Sequence, residues 1–434
     1  MGIIAIIVLA SLAAGAAGAD DPPPTEPTGS TAEERATTSG FAIFEDERLA
    51  GDWGGRRTEL EEAGIEFNFG LTSVYQHVAH GGANTHNAHE ITGSYDLEFG
   101  FDLGAMGVIP GGRVYVLAEG SWLDGLSDGG DVGDYFGVNG DAGGDRAVDV
   151  TELWYEQSFF DARLTVTFGK IDLSAYFETN AYANDETYQF LNNALINSGN
   201  VPFPENGLGI ALLATPCAWF YFGAGLADAE ADARETGLNT AFHGADDFFS
   251  VYEVGFTPSW DLGRGELPGS YRVGMWYDPR SKERFFNDLG GRRRHVPSRR
   301  DDVGFYLSLD QTVYVENPKE VGDAQGLGVF LRYSFAHDDV NEIDHFWSAG
   351  GQYQGLLPTR DADVLGLGIA QGHFSNRIGL TGDEPSRETV IELYYNAEVL
   401  PWLHVTPDFQ WIVNPGGEGV TDAFVAGLRW QMAF

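Results

Sequence analysis

Phe424-Val-Ala-Gly-Leu-Arg-Trp-Gln-Met-Ala-Phe434, the last eleven residues of the sequence, decide the fold. Because side chains alternate between the two faces of an extended strand, this stretch has one large apolar face that runs from Phe424 to Phe434. The other face carries Arg429 and Gln431 among small residues. Such a strand, ending in an aromatic residue, is typical of the strand that closes a bacterial outer-membrane β-barrel. If this stretch closes such a barrel, the preceding sequence must repeat its alternating pattern.

Composition excludes several classes of protein. The 434 residues include 58 glycines and 13% aromatic residues, with a mean hydropathy of −0.20. After the first 19 residues no run of about 18 apolar residues occurs, which excludes a helical membrane protein. The formal net charge of −40 argues against nucleic acids and anionic surfaces as partners. The single cysteine, Cys217, excludes an internal disulfide and a multi-cysteine metal site.

The N-terminal residues predict export. Residues 1–19 form an apolar stretch that ends in small residues, with Ala17-Gly-Ala19 as the expected signal-peptide cleavage site. Residues 20–44 are rich in Pro, Thr and Ser and cannot build a core, so we expect a disordered extension there. We expect residues 45–434 to form the folded domain, secreted through the inner membrane and inserted into the outer membrane.

Alternating segments recur from Gly64 onward. In Glu90–Leu103, apolar side chains from Ile91 to Leu103 oppose acidic and hydroxyl side chains from Glu90 to Asp102. An acidic face of this length suits a water-filled channel. Sixteen segments have about the length that a tilted membrane strand needs. They span 65–76, 90–103, 112–122, 147–159, 162–170, 207–215, 217–227, 248–258, 270–278, 302–315, 325–336, 344–356, 363–373, 388–399, 402–413 and 422–434.

The connections between these segments alternate in length. Those after even-numbered segments are mostly short turns, whereas those after odd-numbered segments are mostly longer and polar. Short periplasmic turns and long external loops produce this rhythm, and an even strand count places both termini in the periplasm. Before the first segment, residues 52–64 predict a short helix that stops at Gly64. The predicted fold is all-β: a sixteen-stranded antiparallel transmembrane β-barrel with long external loops and a short N-terminal helix.

Three ordered motifs resemble those of a known family. Residues 49–65, Leu-Ala-Gly-Asp-Trp-Gly-Gly-Arg-Arg-Thr-Glu-Leu-Glu-Glu-Ala-Gly-Ile, resemble the opening motif of the carbohydrate-selective porins, the OprB family. Phe168-Gly-Lys-Ile-Asp-Leu-Ser-Ala-Tyr-Phe177 is similar to a second motif, and residues 392–417 are similar to the last hairpin with its Pro-Asp-x-Gln…Asn-Pro-Gly-Gly signature. The resemblance implies an outer-membrane porin that passes sugars passively, with neither catalysis nor a cofactor. The strong negative charge departs from the family and bears on the solute preference.

The longest connection, residues 171–206, is the candidate constriction of the channel. Its amides, carboxylates and aromatic rings match sugars, which present hydroxyls that donate and accept and rings that carry C–H groups. The alternative is an external loop that is polar only because it is wet. Other candidates lie on strands, where the alternation of side chains places polar residues on the lumen face. The candidate pore-lining, substrate-binding residues of the strands and the loop are Asp96, Glu98, Arg113, Glu119, Lys170, Asp172, Asn180, Asn184, Gln189, Arg332, Asp408 and Gln410. One β-bulge would invert every later assignment in its strand.

Other clusters suggest further partners. Arginines in 280–300 could bind lipopolysaccharide phosphates or could simply be solvated, and Phe434 would address the barrel assembly machinery. His77, His80, His86 and His89 suggest a divalent metal, and the aspartates of 128–145 suggest calcium. Porins of this size are often homotrimers.

Two alternatives to the sugar porin stay open on sequence alone. A general or cation-preferring porin is favoured if much of the −40 charge lines the lumen. A less favoured one is a lipid esterase, because His373 and Ser375 lie two apart on one predicted strand face, where the histidine could activate the serine.

Overall fold

The computed structural model describes residues 46–242, 247–261, 263, 265–285, 298–319, 323–378 and 386–434. The signal peptide and the disordered extension predicted for 1–19 and 20–44 lie outside the described residues and stay predictions. No helix in the described ranges is both long enough and apolar enough to cross a membrane.

Sixteen antiparallel strands close into one barrel. Each pairs with its neighbours along the chain, and β1 pairs with β2 and also with β19, from Gly70–Ala433 to His80–Phe424. The wall strands are β1 (Ile65–His80), β2 (His89–Asp102), β3 (Gly112–Trp122), β4 (Arg146–Phe159), β5 (Leu164–Ile171), β6 (Gly207–Cys217), β7 (Phe220–Asp228), β8 (Phe248–Phe256), β10 (Glu266–Asp278), β13 (Asp302–Val315), β14 (Gly326–Phe335), β15 (Ile343–Gln354), β16 (Val364–Phe374), β17 (Arg387–Leu400), β18 (Leu403–Val413) and β19 (Ala423–Ala433).

The remaining elements are small. They are β9 (Ser259–Asp261), which pairs with β10, the two-stranded β11 (Lys282–Glu283) and β12 (Ser298–Arg299), the helices α1 (Arg56–Glu62) and α2 (Asn193–Ile196), and two 3-10 turns, Leu173–Ala175 and Pro415–Gly417. The predicted sixteen-stranded barrel is confirmed, and two predicted strands, 112–122 and 302–315, coincide with the observed ones residue for residue.

The outer face of the barrel is apolar. On β16, β17 and β18 the alternate residues Leu367, Leu393 and Phe409 are 55%, 41% and 43% exposed. The closing strand follows the predicted parity, since Phe424 and Leu428 are each 40% exposed whereas Val425 and Arg429 are buried. Large apolar side chains exposed around a closed barrel are the surface that lipid covers.

The barrel has two unlike ends. One end, here the long-loop end, carries L1 (81–88), L2 (123–145), L3 (172–206), L4 (229–247), L5 (279–301), L6 (336–342), L7 (375–386) and L8 (414–422). The opposite, short-turn end carries the connections that include 160–163, 218–219 and 401–402. The longest connections, L2 to L5, lie at the long-loop end, as predicted. At the opposite end, 103–111, 257–265, 316–325 and 355–363 are longer than L1 and L6, so the predicted alternation holds only in part.

The segment before β1 is attached to the closing strand. Leu49 N–H donates to Ala433 O at 2.8 Å, and Arg57 of α1 donates to Phe434 O at 3.0 Å while it stacks over the Trp53 ring. Gly64 ends the helix with φ +85, where a side chain would be strained, and a Cβ there would lie 2.7 Å from Asp102 O. The predicted short helix is present at the short-turn end.

A charge on the outer face tests its contact with lipid. Leu393 lies at the middle of β17 and faces outward, so Leu393→Arg should destabilise the barrel in liposomes by about 2–4 kcal/mol, whereas Leu393→Phe should have little effect. Equilibrium urea unfolding of the two variants measures the difference. Equal stabilities would contradict the placement of this face in hydrocarbon.

Candidate functional site

L3 folds into the barrel instead of standing above it. It begins with a 3-10 turn in which the Asp172 side chain accepts from Ser174 N at 2.8 Å. Leu173 and Phe177 follow, 1% and 2% exposed, and pack in one buried apolar cluster with Phe249 of β8. The cluster lies inside the lumen, so the start of L3 is seated on the inner wall.

The next part of L3 crosses the inner faces of β13, β14 and β15. Asn180 donates to Ser308 Oγ at 3.2 Å. The Tyr182 ring lies over Gly328, where a Cβ would be 1.9 Å from the ring, and its hydroxyl is 2.8 Å from Thr312 Oγ1. Only glycine at position 328 allows this approach. The ring therefore lies flat against the wall.

A buried ion pair holds two limbs of L3 together on β14. Arg332 Nε lies 3.2 Å from Glu178 Oε1, and neither side chain has exposed surface. Glu178 also accepts from Ser198 Oγ at 2.5 Å, and Arg332 donates to the carbonyls of Ala183 and Leu195. Removing one member of such a pair leaves an uncompensated buried charge, which typically costs about 3–5 kcal/mol.

The far part of L3 reaches β17, β18 and β19. The Glu392 carboxylate accepts from Leu191 N at 2.6 Å and Asn192 N at 3.0 Å, and Asn192 donates to Gln410 at 2.9 Å. Arg429 donates to the carbonyls of Glu186 and Gln189, at 2.5 and 2.8 Å.

A fully buried ring supports these polar contacts. The side chain of Phe190 has no exposed surface and packs edge-on between the rings of Phe330 and Tyr394. L3 thus lies along the inner wall from β7 to β19.

L2 folds over L3 at the long-loop end. Val138 O accepts from the amides of Gln76 and Gln410, at 2.8 and 2.9 Å. The Glu388 carboxylate accepts from Tyr135 N at 2.8 Å, and Gly140 N donates to Leu191 O at 2.8 Å. L2 and L3 therefore form one layer that covers the inner faces of β7–β19 and also reaches β1 and β2 at the long-loop end.

The inner faces of β1–β4 carry acids that this layer does not bind. Asp96 and Glu98 on β2, Glu119 on β3 and Glu156 on β4 face inward, and Arg113 pairs with Glu66 at 2.9 Å. Across the lumen, Glu186 of L3 lies close enough to Asp96 for their charges to interact. We call these inward residues of β1–β4 the acidic wall. The acidic wall and the exposed side of L3 face each other.

The predicted site residues divide into three groups. Asp96, Glu98, Arg113 and Glu119 belong to the acidic wall, and Asn184 and Gln189 lie on L3, partly exposed. A second group lies beneath L2 and L3 and has almost no exposed surface: Asp172, Asn180, Arg332, Asp408 and Gln410. The parity of the strand residues Arg332, Asp408 and Gln410 is right. Arg332 and Gln410 bind the loops, and Asp408 is buried beside Gln410, so none of the three is open to a passing solute.

Lys170 is placed differently from its prediction. It pairs with Leu153, which is 52% exposed on the outer face, so its side chain points away from the lumen. Its Nζ donates to the carbonyls of Val150, Ala233 and Glu235, at 2.7, 2.5 and 2.5 Å. Lys170 therefore holds L4 over the outer rim and is not a pore-lining residue.

Three carboxylates that position the loops were not predicted. Parity alone places Glu388 and Glu392 on the inner face of β17, but nothing in their own strand names the backbone N–H groups that they bind. Glu178 lies within L3, where no periodic pattern marks it as the partner of Arg332. For Glu388 and Glu392, the sequence feature that could have identified them is an acidic residue at an inward position of a strand that faces a long loop.

The metal and esterase hypotheses find no support in the geometry. Within the described ranges, no group of three or more His, Cys, Asp or Glu side chains is placed to hold a metal ion, which covers both the histidines of β1–L1–β2 and the aspartates of L2. Ser375 has no exposed surface, and its hydroxyl donates to Asp338 O at 2.5 Å instead of to His373. The two residues therefore do not form a nucleophile and base.

Asp141 gives L2 a pH-sensitive contact. Burial raises the pKa of Asp141 to about 8, while a hydrogen bond from Ser94 Oγ at 2.5 Å acts in the opposite direction and the nearby Glu186 adds to the rise. The other carboxylate oxygen, Oδ2, is buried and has no partner in the described structure. The neutral acid is therefore the form that suits this site.

A closed sixteen-stranded barrel whose longest loop folds into the lumen defines a porin. The family model "Carbohydrate-selective porin, OprB family" matches residues 86–434, and the chain belongs to that family. The chain is 26% identical to Porin B of Pseudomonas aeruginosa, over 89% of this chain and 91% of that protein. It is 22% identical to the putative porin QuiX of Acinetobacter baylyi, over 89% and 93%.

The fold also matches a solved structure. The high-pH structure of Pseudomonas putida OprB superposes with a TM-score of 0.78 at 24% identity, covering 90% of this chain and 99% of that one. The protein is thus an outer-membrane porin for carbohydrates, and it is a channel, not an enzyme. The predicted family and function are confirmed.

Releasing the far end of L3 should widen the channel. In Glu392→Ala the amides of Leu191 and Asn192 lose their acceptor, at a cost of about 1–3 kcal/mol, so L3 should detach and single-channel conductance should rise. Glu398→Ala is the matched control, because that carboxylate lies on the same strand and has no hydrogen bond to L3 in the described structure. Equal conductance in both variants and the wild type would show that Glu392 does not hold L3.

The attachment of L2 should weaken in alkaline solution. Because the folded pKa of Asp141 is raised, its contribution to stability is complete below the ordinary carboxyl range and is lost as the pH rises through about 8. Asparagine resembles the neutral acid and cannot ionise, so hydrogen exchange in 123–145 should differ between the wild type and Asp141→Asn more at pH 9 than at pH 6. Asp128→Asn, an exposed acid of L2, is the control. A constant difference would contradict the role of Asp141.

Proposed function

We propose that neutral mono- and small oligosaccharides diffuse passively between the acidic wall and the exposed side of L3. The observation that carries this proposal is the layer of L2 and L3, which covers most of the lumen wall but leaves Asp96, Glu98 and Glu119 of the acidic wall partly exposed. The proposed solute contacts are Asp96, Glu98, Arg113, Glu119, Asn184 and Gln189. Residues 171–206 form the proposed constriction within a barrel domain of residues 45–434.

The chemistry of the two sides supports a sugar as the solute. The carboxylates of Asp96 and Glu98 accept hydroxyl hydrogens. Asn184 Oδ1 accepts from Arg332, and the Gln189 amide bonds Asn184 N and Ala181 O, so these two amides offer their remaining N–H groups as donors. Tyr188 of L3 offers an aromatic edge near these groups, and its ring packs against that of His404 at 5.2 Å. A neutral sugar exchanges its water for these groups without the desolvation cost that an ion would bear.

Liposome swelling tests the preference for sugars. Vesicles that contain the purified protein should swell faster in glucose than in a neutral amino acid of similar size, and swelling in a disaccharide should be slower but measurable. Glu119→Gln keeps the size of the side chain and removes one charge, so it should change the sugar rate less than Glu119→Leu does. Rates that follow solute size alone would contradict sugar selectivity and leave a general pore.

A general, cation-preferring porin is the second candidate, and the acidic wall favours it. Four inward acids on β2–β4, with Arg113 already paired to Glu66, would concentrate cations in the lumen. Planar-bilayer reversal potentials in a potassium chloride gradient separate the candidates. A strong cation preference with no reduction of ion current by glucose would favour the general porin.

Orientation and partners follow from the same proposal. The long-loop end would face outward and both termini would lie in the periplasm, after removal of a signal peptide at residues 1–19. Phe434 would be read by the barrel assembly machinery, and the barrel would form a homotrimer. The basic residues of L5 would bind lipopolysaccharide, although Arg280, Arg299 and Arg300 also form ion pairs with aspartates, and 292–294 lie outside the described residues.

A further inference from the structure

A row of basic side chains lies on the outer face at the long-loop end. His345 of β15 is the cross-strand partner of His373 of β16, which is the partner of Arg387 of β17. His345 and Arg387 are exposed, and the His373 side chain is 55% exposed. We call these three residues the basic row. It extends across three adjacent strands where they meet the loops.

The position of the basic row is unusual for the outer face of a barrel. One step toward the short-turn end, the outward residues are Trp347, Gln371 and Thr389, and the next step is apolar with Ala349, Ile369 and Ile391. The row therefore lies at the boundary of the apolar surface, at the depth of lipid headgroups. Like charges placed opposite each other on adjacent strands destabilise a sheet unless a counter-ion compensates them.

The hydrogen bonds of the basic row use the inner ring nitrogens and leave the outer nitrogen atoms available to a ligand. His373 Nδ1 is 2.9 Å from Asp344 Oδ1, and His345 Nδ1 is 2.8 Å from the Tyr333 hydroxyl. The Nε2 atoms of both rings, and the guanidinium of Arg387, have no hydrogen bond to any residue that the structure describes. The two rings are 6.4 Å apart between centroids, so one phosphate group can contact both.

Among the residues that the structure describes, few other charged or titratable groups surround the row. Asp344 and Tyr333 occupy the inner nitrogens, and His337 packs beyond Phe335, whose ring is 5.6 Å from it. The nearby Arg377 is paired with Asp338 at 2.8 Å. Asp344 is thus the one carboxylate hydrogen-bonded to the row among described residues, and it faces a single ring. The row has a net positive charge when the histidines are protonated.

We propose that the basic row binds the phosphate of a phosphorylated glycolipid in the outer leaflet of the membrane. Arginine forks and imidazolium groups are strong donors to phosphate, and at the membrane interface each cationic side chain contributes about 1 kcal/mol to binding anionic lipid. A lipid is favoured over a soluble anion because the donors face the membrane next to an apolar surface that takes the acyl chains. The proposal depends on the long-loop end facing outward, but not on the solute that the channel passes.

Native mass spectrometry of the full-length refolded barrel tests this site. The probes are purified bisphosphorylated lipid A, the same lipid with its phosphates removed, and inorganic phosphate, at about pH 5.5 and pH 8 on either side of the ordinary histidine range. The phosphorylated lipid should bind more tightly at the lower pH. The dephosphorylated lipid should bind weakly at both, and inorganic phosphate should compete poorly.

Variants identify the residues responsible. Arg387→Gln should weaken binding about fivefold, Arg387→Lys should retain most of it, and the double variant H345Q/H373Q should abolish the pH dependence. The matched control is H77Q/H89Q, which removes another cross-strand histidine pair from the same end of the barrel. Mobility in unheated gels confirms folding of each variant.

Four results would overturn the proposal. Binding that does not need the lipid phosphates would remove the phosphate contact. An equal loss in H77Q/H89Q would make the effect general to the rim, and competition by inorganic phosphate at the lipid's own concentration would indicate a simple anion site. Unchanged binding in both Arg387→Gln and H345Q/H373Q would also exclude the row, whatever sugar the channel carries.

Discussion

The ion pair between Arg332 and Glu178 is the contact on which the arrangement of the lumen depends. Neither side chain has exposed surface, so each would be an isolated charge in a dry environment without the other. Glu388 and Glu392 on β17 are also buried acids that depend on L2 and L3, because their hydrogen-bond partners are backbone N–H groups of those loops. An inner wall with these charges is stable only when the loops lie against it.

The inner wall of the barrel is therefore packed under the loops and more exposed at the acidic wall. Under L2 and L3, the inner wall of β13–β19 is packed like a protein core, with Phe190 and Tyr394 in edge-on contact within one buried apolar cluster. On β2–β4 the inward acids Asp96, Glu98, Glu119 and Glu156 stay partly exposed to the lumen. A solute that enters the lumen meets a fixed polar surface on one side and a charged wall on the other.

The sequence predicted the wall well because the wall has a strong periodic signal. Period-two alternation, glycine-rich turns and loop rhythm located all sixteen strands, and the parity of Arg332 and Asp408 was right. The loops have no such period, so the cover over those residues could not be foreseen. Lys170 was misplaced, because its strand presents it on the opposite face of the wall. Its pairing with the exposed Leu153 places it on the outer face.

The measurement that tests the central claim most directly is the accessibility of single cysteines in a Cys217→Ser background. Cysteines at Glu119 on the acidic wall and at Ser308 under L3 both face the lumen, and they differ only in the cover that L3 provides. If sugars pass between the acidic wall and L3, a water-soluble thiol reagent should modify a cysteine at position 119 quickly, and glucose should slow this reaction. A cysteine at position 308 should be protected. Rapid modification at position 308, or protection at 119 that sugar does not change, would contradict a pathway between the acidic wall and L3.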